Sequence, residues 1–195
     1  MTVGRPREFD RAEALQKAMD VFWTRGYEST QVEDLLEAMG IGRGSMYAAF
    51  GDKRSLYLEA LQAFCDQAIA FYRTKILTGP KTPIENLRSF ISGWGDMIDN
   101  GRGRGCFISN ALIEKSGTDE DVARLTSNAI KGEELLLRGV LSEAQENGQL
   151  DARKDPASLA RAIVNARLGV TIQARLGASS AGVRGASEAM LALLE

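Results

Sequence analysis

Residues 30–53, TQVEDLLEAMGIGRGSMYAAFGDK, decide the fold of this chain. Apolar residues recur there at the three- and four-residue spacing of a helix with one apolar face: Val32, Leu35, Leu36 and Met39. Thr30 is expected to cap this helix, and Gly40 to end it, because glycine adopts a positive φ without steric conflict. A second short helix begins near Arg43. Two short helices around a tight turn are typical of a helix-turn-helix, whose second helix enters a DNA groove.

Charge does not by itself exclude an ordinary helical hairpin. Residues 1–55 contain eight lysines and arginines and nine aspartates and glutamates. The basic residues that could contact DNA lie at the start of the chain and around the second short helix. They are Arg5, Arg7, Arg43, Lys53 and Arg54. Nonspecific affinity for DNA grows with the number of phosphates that a protein neutralises. This small number of basic residues therefore predicts a protein that needs base contacts and a second subunit.

From Phe9 to about Ala60 the chain resembles the TetR family of bacterial transcriptional regulators. The positions that carry this resemblance are Gly26-Tyr27, Thr30, Gly40-Ile41-Gly42-Arg43-Gly44-Ser45, Tyr47, Phe50 and Lys53. The resemblance implies that Thr30, Tyr47 and Lys53 contact phosphates. It also implies that a second set faces base edges: Arg43, Gly44, Ser45 and Ala48. Ala48 and Ala49 stand where relatives often carry larger or polar residues, so the operator sequence is not predicted.

Composition excludes several classes of protein. The chain has no histidine and two cysteines, so neither a zinc finger nor a Ser-His-Asp triad can form, and no P-loop or Gly-x-Ser-x-Gly motif occurs. The run Gly101–Gly105 follows a helix rather than a strand and is interpreted as a hinge or a turn. No apolar run approaches the roughly 20 residues that cross a bilayer, and the first residues lack a signal peptide's apolar segment. We expect a cytoplasmic protein that is not an enzyme and has no metal or cofactor.

Helical patterns cover nearly the whole chain and predict an all-α fold of about nine helices. We expect a helix-turn-helix domain over residues 1–51 and a helical ligand-binding and dimerisation domain over 52–195. Beyond the helix-turn-helix, the predicted helices run from Asp52 to Leu77, from Thr82-Pro83 to about Asp99, near Cys106–Glu114, from Thr118 or Asp119 to Asn147-Gly148, from Asp155-Pro156 to Leu176, and over Ala181–Leu194.

The last two helices are predicted to form a dimer interface. The helix after Pro156 is apolar on two adjacent faces, which suggests burial on both sides. A bundle within one protomer is the alternative, but the TetR resemblance implies dimerisation through these helices as a four-helix bundle. The predicted interface residues are Ile163, Ala166, Val170, Ile172 and Met190.

The middle helices have the composition of a pocket wall. Large apolar groups at helical spacing are more often core than ligand contacts. The resemblance nevertheless implies a small-molecule effector in this part of the chain. The residues predicted to line its pocket are Phe64, Phe90, Trp94, Met97, Cys106, Phe107 and Asn110.

Cys106 permits two interpretations. It follows Arg102 and Arg104 at the start of a short helix, and both features stabilise a reactive thiolate. The Gly-Cys pair also resembles a TetR subgroup in which some members sense electrophiles or oxidants. The alternative, which we favour from the sequence, is a buried cysteine that acts as a small apolar side chain beside Phe107.

These features together predict a homodimeric regulator of the TetR type. Its partners would be double-stranded operator DNA and an unidentified small molecule that releases it from that DNA. The alternative function is a helical module that senses a ligand or a partner without binding DNA.

Overall fold

A computed structural model describes residues 9–96 and 103–195. In these two ranges the chain forms nine helices and no strand: α1 (Arg11–Arg25), α2 (Val32–Met39), α3 (Arg43–Phe50), α4 (Lys53–Leu77), α5 (Pro83–Ser92), α6 (Phe107–Lys115), α7 (Glu120–Glu146), α8 (Pro156–Arg175) and α9 (Ser180–Ala192). A further helical run, residues 94–96, follows α5. The prediction of an all-α fold is confirmed.

Most helix ends lie where the sequence predicts them, because capping is a local interaction. The Asp52, Asp119 and Asp155 side chains each accept backbone N–H bonds from the first turn of α4, α7 and α8. Gly40 ends α2 in the left-handed conformation, with a φ of 69°. The predicted helix-turn-helix is therefore present as α2, its turn and α3.

Two predicted boundaries are wrong. Gln31, not Thr30, precedes the first residue of α2, because the Thr30 hydroxyl donates instead to the Gly26 carbonyl at 2.5 Å. The helix that begins at Pro83 ends at Ser92 rather than near Asp99, because the chain turns at Gly93. The remainder of that predicted helix, beyond Asp96, lies outside the described residues.

Two hydrophobic clusters form the core, and one of them joins the helix-turn-helix to the rest of the chain. Buried residues of α1–α3 pack against the first half of α4 through Leu56, Tyr57 and Leu61. Phe107 of α6 and Val122 of α7 belong to the same cluster. The packing therefore continues across residue 51, and the domain boundary expected there stays a prediction.

The second cluster lies farther from the helix-turn-helix. It contains buried residues from the end of α4 and from α5, α7, α8 and α9, with Leu87, Leu141 and Val183 fully buried. α8 lies against α7 and contributes Ile163 and Val170 to this core. These packed helices form one wall of the cavity described below.

Candidate DNA interface and ligand cavity

The outer face of α3 is exposed and carries few large side chains. Met46 and Phe50 are buried and fix the helix to the core. A Cβ added at Gly44 would meet no atom within 4 Å, and Tyr47 is 44% exposed. Arg43 and Ala48 are also exposed, and Ser45 is half-buried. This face could therefore approach a DNA groove closely, as predicted for these residues.

The basic residues around α3 have different surroundings. Arg43 forms an ion pair with Glu33 of α2, so a base contact would have to replace that pair. The Lys53 ammonium lies 4.2 Å from the centre of the Tyr27 ring, and no carboxylate in the described part of the chain forms a salt bridge with it. Among the described residues, Lys53 is therefore more readily available to a phosphate than Arg43.

Arg54 has an internal role instead. Its guanidinium donates to Asp119 at 2.8 Å and to Asp121 at 2.7 Å, which holds the start of α4 to the start of α7. The hydrogen bond from Arg54 is the main reason why the pKa of Asp119 is lowered. Arg54, which the sequence grouped with the DNA-facing cations, is thus occupied by protein carboxylates.

Thr30 lies inside the helix-turn-helix rather than on its surface. Its side chain is fully buried, and its hydroxyl already donates to the Gly26 carbonyl. In this structure the hydroxyl is therefore not available to a phosphate. The other predicted basic residues, Arg5 and Arg7, lie outside the described residues.

A cavity of about 530 Å³ lies between α1, α4, α8 and the segment that precedes α6. This volume is within the range of small-molecule sites, about 300–1,000 Å³. The side chains around it are mostly aromatic or apolar, with several polar residues among them. Its lining residues are Trp23, Phe64, Gln67, Ala68, Phe71, Tyr72, Trp94, Asp96, Gly103, Arg104, Gly105, Cys106, Arg167, Val170, Thr171 and Ala174.

The residues predicted to line the pocket lie in different parts of the structure. Phe64, Trp94 and Cys106 line the cavity, whereas Phe90 lines a separate hollow of about 380 Å³. Phe107 is buried in the core and makes an edge contact with Phe64. Asn110 does not line the cavity but donates to the Arg104 carbonyl at 2.9 Å. Met97 lies outside the described residues.

Three important lining residues were missed from the sequence: Trp23, Arg104 and Arg167. Trp23 was overlooked because it belongs to α1, which the sequence assigned to DNA binding. One signal was available, since Trp23 directly follows the core residue Phe22 and so projects from a different side of the helix. A large aromatic group on that side needs packing partners from outside the helix-turn-helix.

The segment before α6 connects this cavity to α1. The Trp23 indole N–H donates to the Gly105 carbonyl at 3.1 Å, and the Arg104 guanidinium lies 4.0 Å from the centre of the Trp23 ring. Arg104 also pairs with Asp20 of α1 at 3.1 Å. Gly105 has a φ of 66°, and a Cβ there would lie 2.9 Å from the Thr171 carbonyl oxygen of α8. Only glycine therefore fits between α1 and α8.

The far end of α6 holds the turn between α1 and α2. The Glu114 carboxylate accepts the backbone N–H groups of Tyr27 and Glu28 at 3.0 and 2.9 Å. Lys115 pairs with the Glu28 carboxylate at 2.8 Å. Contacts at both ends of α6 therefore link the cavity region to the helix-turn-helix.

A buried ion pair supports the opposite wall of the cavity. Arg167 of α8 donates twice to Glu133 of α7, with both distances 2.5 Å, and the two side chains are 3% and 6% exposed. Burial raises the pKa of Glu133, although the Arg167 charge opposes this effect. Removing either partner would leave a charged group buried without a counterion.

Both cysteines are buried and free. Burial raises the pKa of Cys65 to about 12, so its thiol is inert at neutral pH. Cys106 precedes the first residue of α6 and lines the cavity. That position agrees with the favoured interpretation of a small apolar side chain, and it also lies within reach of a ligand, so the reactivity of Cys106 stays an untested hypothesis.

The residues predicted for a dimer interface differ in their exposure. Ile163 and Val170 are buried in the core of their own protomer, so they are not available to a partner. Ala166 and Met190 are half-buried, and Ile172 is 40% exposed. Other apolar or small residues share the outer surface of α8 and α9: Leu176, Ala181, Gly185, Ala189 and Leu193.

Within residues 9–96 and 103–195, no helix combines the length and the hydrophobicity required to cross a membrane.

Comparison with known proteins agrees with this geometry. Residues 14–60 match the family described as bacterial regulatory proteins, tetR family, and residues 83–190 match the tetracyclin repressor-like C-terminal domain. The HTH-type transcriptional regulator YezE of Bacillus subtilis (strain 168) is 34% identical over 90% of this chain and 91% of its own length. The HTH-type transcriptional repressor ComR of Escherichia coli (strain K12) is 30% identical over 90% of this chain and 84% of its own length.

A solved structure with a bound operator is also similar. A cysteine mutant of the TetR family transcriptional regulator CifR, complexed with 26-base-pair double-strand operator DNA, is 31% identical to this chain. The similarity covers 98% of this chain and 100% of that protein, with a TM-score of 0.84. The similarity to these relatives thus covers at least 90% of the chain.

Proposed function

Since the chain belongs to the TetR family of bacterial transcriptional regulators, we propose that it is a repressor that leaves its operator when a small molecule binds the cavity. Its relatives are DNA-binding regulators and not enzymes, as the sequence predicted. They give no support to the alternative of a helical module that does not bind DNA. We place its action in the cytoplasm, where bacterial DNA lies.

One observation carries the proposal for ligand control: Trp23 belongs to α1 and also lines the cavity. A ligand there would touch a helix of the DNA-binding part directly. Arg104 and Gly105 bind the same helix through Asp20 and Trp23. A small displacement of this segment would therefore be transmitted to α1 as well as through the long helix α4.

The repressor would act as a homodimer, with residues 1–51 binding DNA and residues 52–195 holding the effector and the partner. The outer surface of α8 and α9, including Ile172, would form a four-helix bundle with the same surface of a second protomer. Two α3 helices about 34–36 Å apart would then enter adjacent major grooves. Effector binding would change that separation and release the protein.

The proposal is tested by titrating the protein onto labelled DNA from the region upstream of its own gene and measuring fluorescence anisotropy. Tight binding that survives an excess of unrelated DNA is expected, because base contacts distinguish a specific site from random sequence. Equal affinity for the upstream and unrelated DNA would argue against an operator in that region. An absence of binding to either DNA would favour the module that does not bind DNA.

The role of Lys53 gives a first prediction. Lys53→Ala should weaken binding to every DNA sequence and lower the slope of log affinity against log salt by about one per protomer, because one phosphate contact is lost. Anisotropy titrations at several salt concentrations measure this slope. Lys131→Ala, on the exposed face of α7, serves as the control and should leave the slope unchanged. An unaltered slope for Lys53→Ala would remove Lys53 from the interface.

The ion pair between Arg43 and Glu33 gives a second prediction. Glu33→Gln should increase operator affinity by about 1.4- to fivefold per protomer, because an exposed ion pair that competes with the base contact is worth about 0.2–1 kcal/mol. Glu37→Gln removes the same charge from the same helix without freeing Arg43, since Glu37 forms no salt bridge within the described residues. Equal gains for the two variants would show that only net charge matters and that Arg43 does not contact the operator.

A further inference from the structure

Two N–H groups on residues that line the cavity have no hydrogen-bond acceptor. The Trp94 indole Nε1 and the Arg104 Nε are both buried, and no acceptor among the described residues bonds to either atom. Trp94 as a whole is 1% exposed. Because buried polar groups almost always have a partner, an unpaired donor on a cavity wall needs an explanation, and an acceptor supplied by a ligand is one.

Two other polar side chains of the cavity wall, those of Gln67 and Thr171, already have partners. The Thr171 hydroxyl donates to the Leu168 carbonyl and lies 3.1 Å from the Ser109 hydroxyl. The Gln67 amide donates to Gln16 at 3.4 Å. Neither side chain bonds to the two N–H groups, which therefore remain unpaired among the described residues.

The charges of the wall do not favour an anion. Arg104 is paired with Asp20, and Arg167 is paired with Glu133. Asp96 adds a further carboxylate to the lining. A carboxylate ligand would thus lose its hydration without gaining an unpaired cation among the described lining residues, which is unfavourable.

We propose that the ligand of this cavity is an uncharged, mainly aromatic molecule whose carbonyl oxygen accepts the Trp94 N–H. The aromatic wall, which includes Trp23, Phe64 and Phe71, packs against the apolar body of the ligand. The assignment of this molecule as the effector rests on the proposed function, but its chemical class follows from the cavity itself.

The test compares three molecules of similar shape by isothermal titration calorimetry on the full-length protein. Benzophenone supplies a carbonyl, diphenylmethane lacks it, and 4-benzoylbenzoate adds a carboxylate. Benzophenone should bind about tenfold more tightly than diphenylmethane, as expected for one hydrogen bond to an otherwise unpaired donor. It should also bind at least about tenfold more tightly than 4-benzoylbenzoate, because the anion meets no free cation.

A matched pair of variants assigns the donor. Trp94→Phe keeps an aromatic ring and removes the N–H, so benzophenone and diphenylmethane should bind with equal affinity. Tyr57→Phe removes a hydroxyl that is likewise buried and unpaired among the described residues but does not line the cavity, and it should retain the preference for the ketone. Thermal unfolding without ligand checks that both variants fold, and if Trp94→Phe does not, the wild-type series alone decides the ligand class.

Equal wild-type affinities for benzophenone and diphenylmethane would overturn the proposal. So would tighter binding of 4-benzoylbenzoate, no binding of any of the three, or a ketone preference that survives in a folded Trp94→Phe variant. The operator titration is a separate measurement on the same protein. Operator binding without ketone selectivity would refute only the ligand class, whereas ketone selectivity without operator binding would refute only the repressor function.

Discussion

Replacing Ile172 by glutamate is expected to convert the proposed dimer into monomers and to reduce operator affinity at least a hundredfold. In one protomer Ile172 is 40% exposed, so a glutamate there can reach water and the fold should persist. In the proposed bundle the same carboxylate would be buried without a counterion, which costs about 3–5 kcal/mol. That free energy corresponds to a weakening of the dimer by roughly two to three and a half orders of magnitude.

Light scattering at micromolar protomer concentration measures the expected change in mass, and anisotropy with the operator measures the loss of affinity. Ile113→Glu is a suitable control, because Ile113 is 68% exposed on α6, outside the proposed interface. The control should remain dimeric and bind the operator normally. A dimeric Ile172→Glu protein would place the interface elsewhere, and a monomeric wild type would exclude the dimer altogether.

The helix-turn-helix could be predicted from the sequence because its determinants are local. Gly40 ends α2 within a few residues of the apolar positions that define the helix, and Asp52 caps α4 directly after Gly51. Such interactions depend on neighbouring residues and not on the rest of the fold. Even here Thr30 was misplaced as a cap, because its hydroxyl bonds back to Gly26.

The cavity could not be predicted in the same way, because it is formed by residues distant in sequence. Trp23, Arg104 and Arg167 meet only after α1, the segment before α6 and α8 have packed together. The sequence shows that Phe107 is apolar, but helical periodicity cannot distinguish a position in the core from a position on a cavity wall. Similarly, Val170 lies on an apolar face of α8 that turns toward its own protomer.

Replacing Glu133 by leucine is expected to lower the free energy of unfolding by about 3–5 kcal/mol, because it leaves the Arg167 guanidinium buried without its carboxylate. The Arg167 guanidinium would have little access to water or to another partner, because Arg167 is 3% exposed and its surroundings include Tyr72, Ile108 and Ile130. Chemical denaturation at a fixed protomer concentration measures the change, because the apparent stability of a dimer depends on concentration. Glu134→Leu, on the same helix, removes a carboxylate whose partner Arg161 is exposed, and it should change stability by less than about 1 kcal/mol.

The double variant Glu133→Leu/Arg167→Met is expected to recover the stability that the single variant loses. Its free energy of unfolding should be no more than about 1 kcal/mol below that of the wild type, or higher than the wild-type value. Removing both charges from water costs free energy, and the attraction within the ion pair offsets only part of that cost. Two apolar side chains of similar size avoid the cost altogether. A double variant as unstable as Glu133→Leu alone would show that the pair stabilises the fold through its own hydrogen bonds. Recovery would instead show that the fold does not require the pair, which leaves a role in the cavity, where Arg167 forms part of the wall, to be tested. The ketone titration on the double variant then separates these roles, because a changed ligand preference in a fully stable protein can only come from the altered wall.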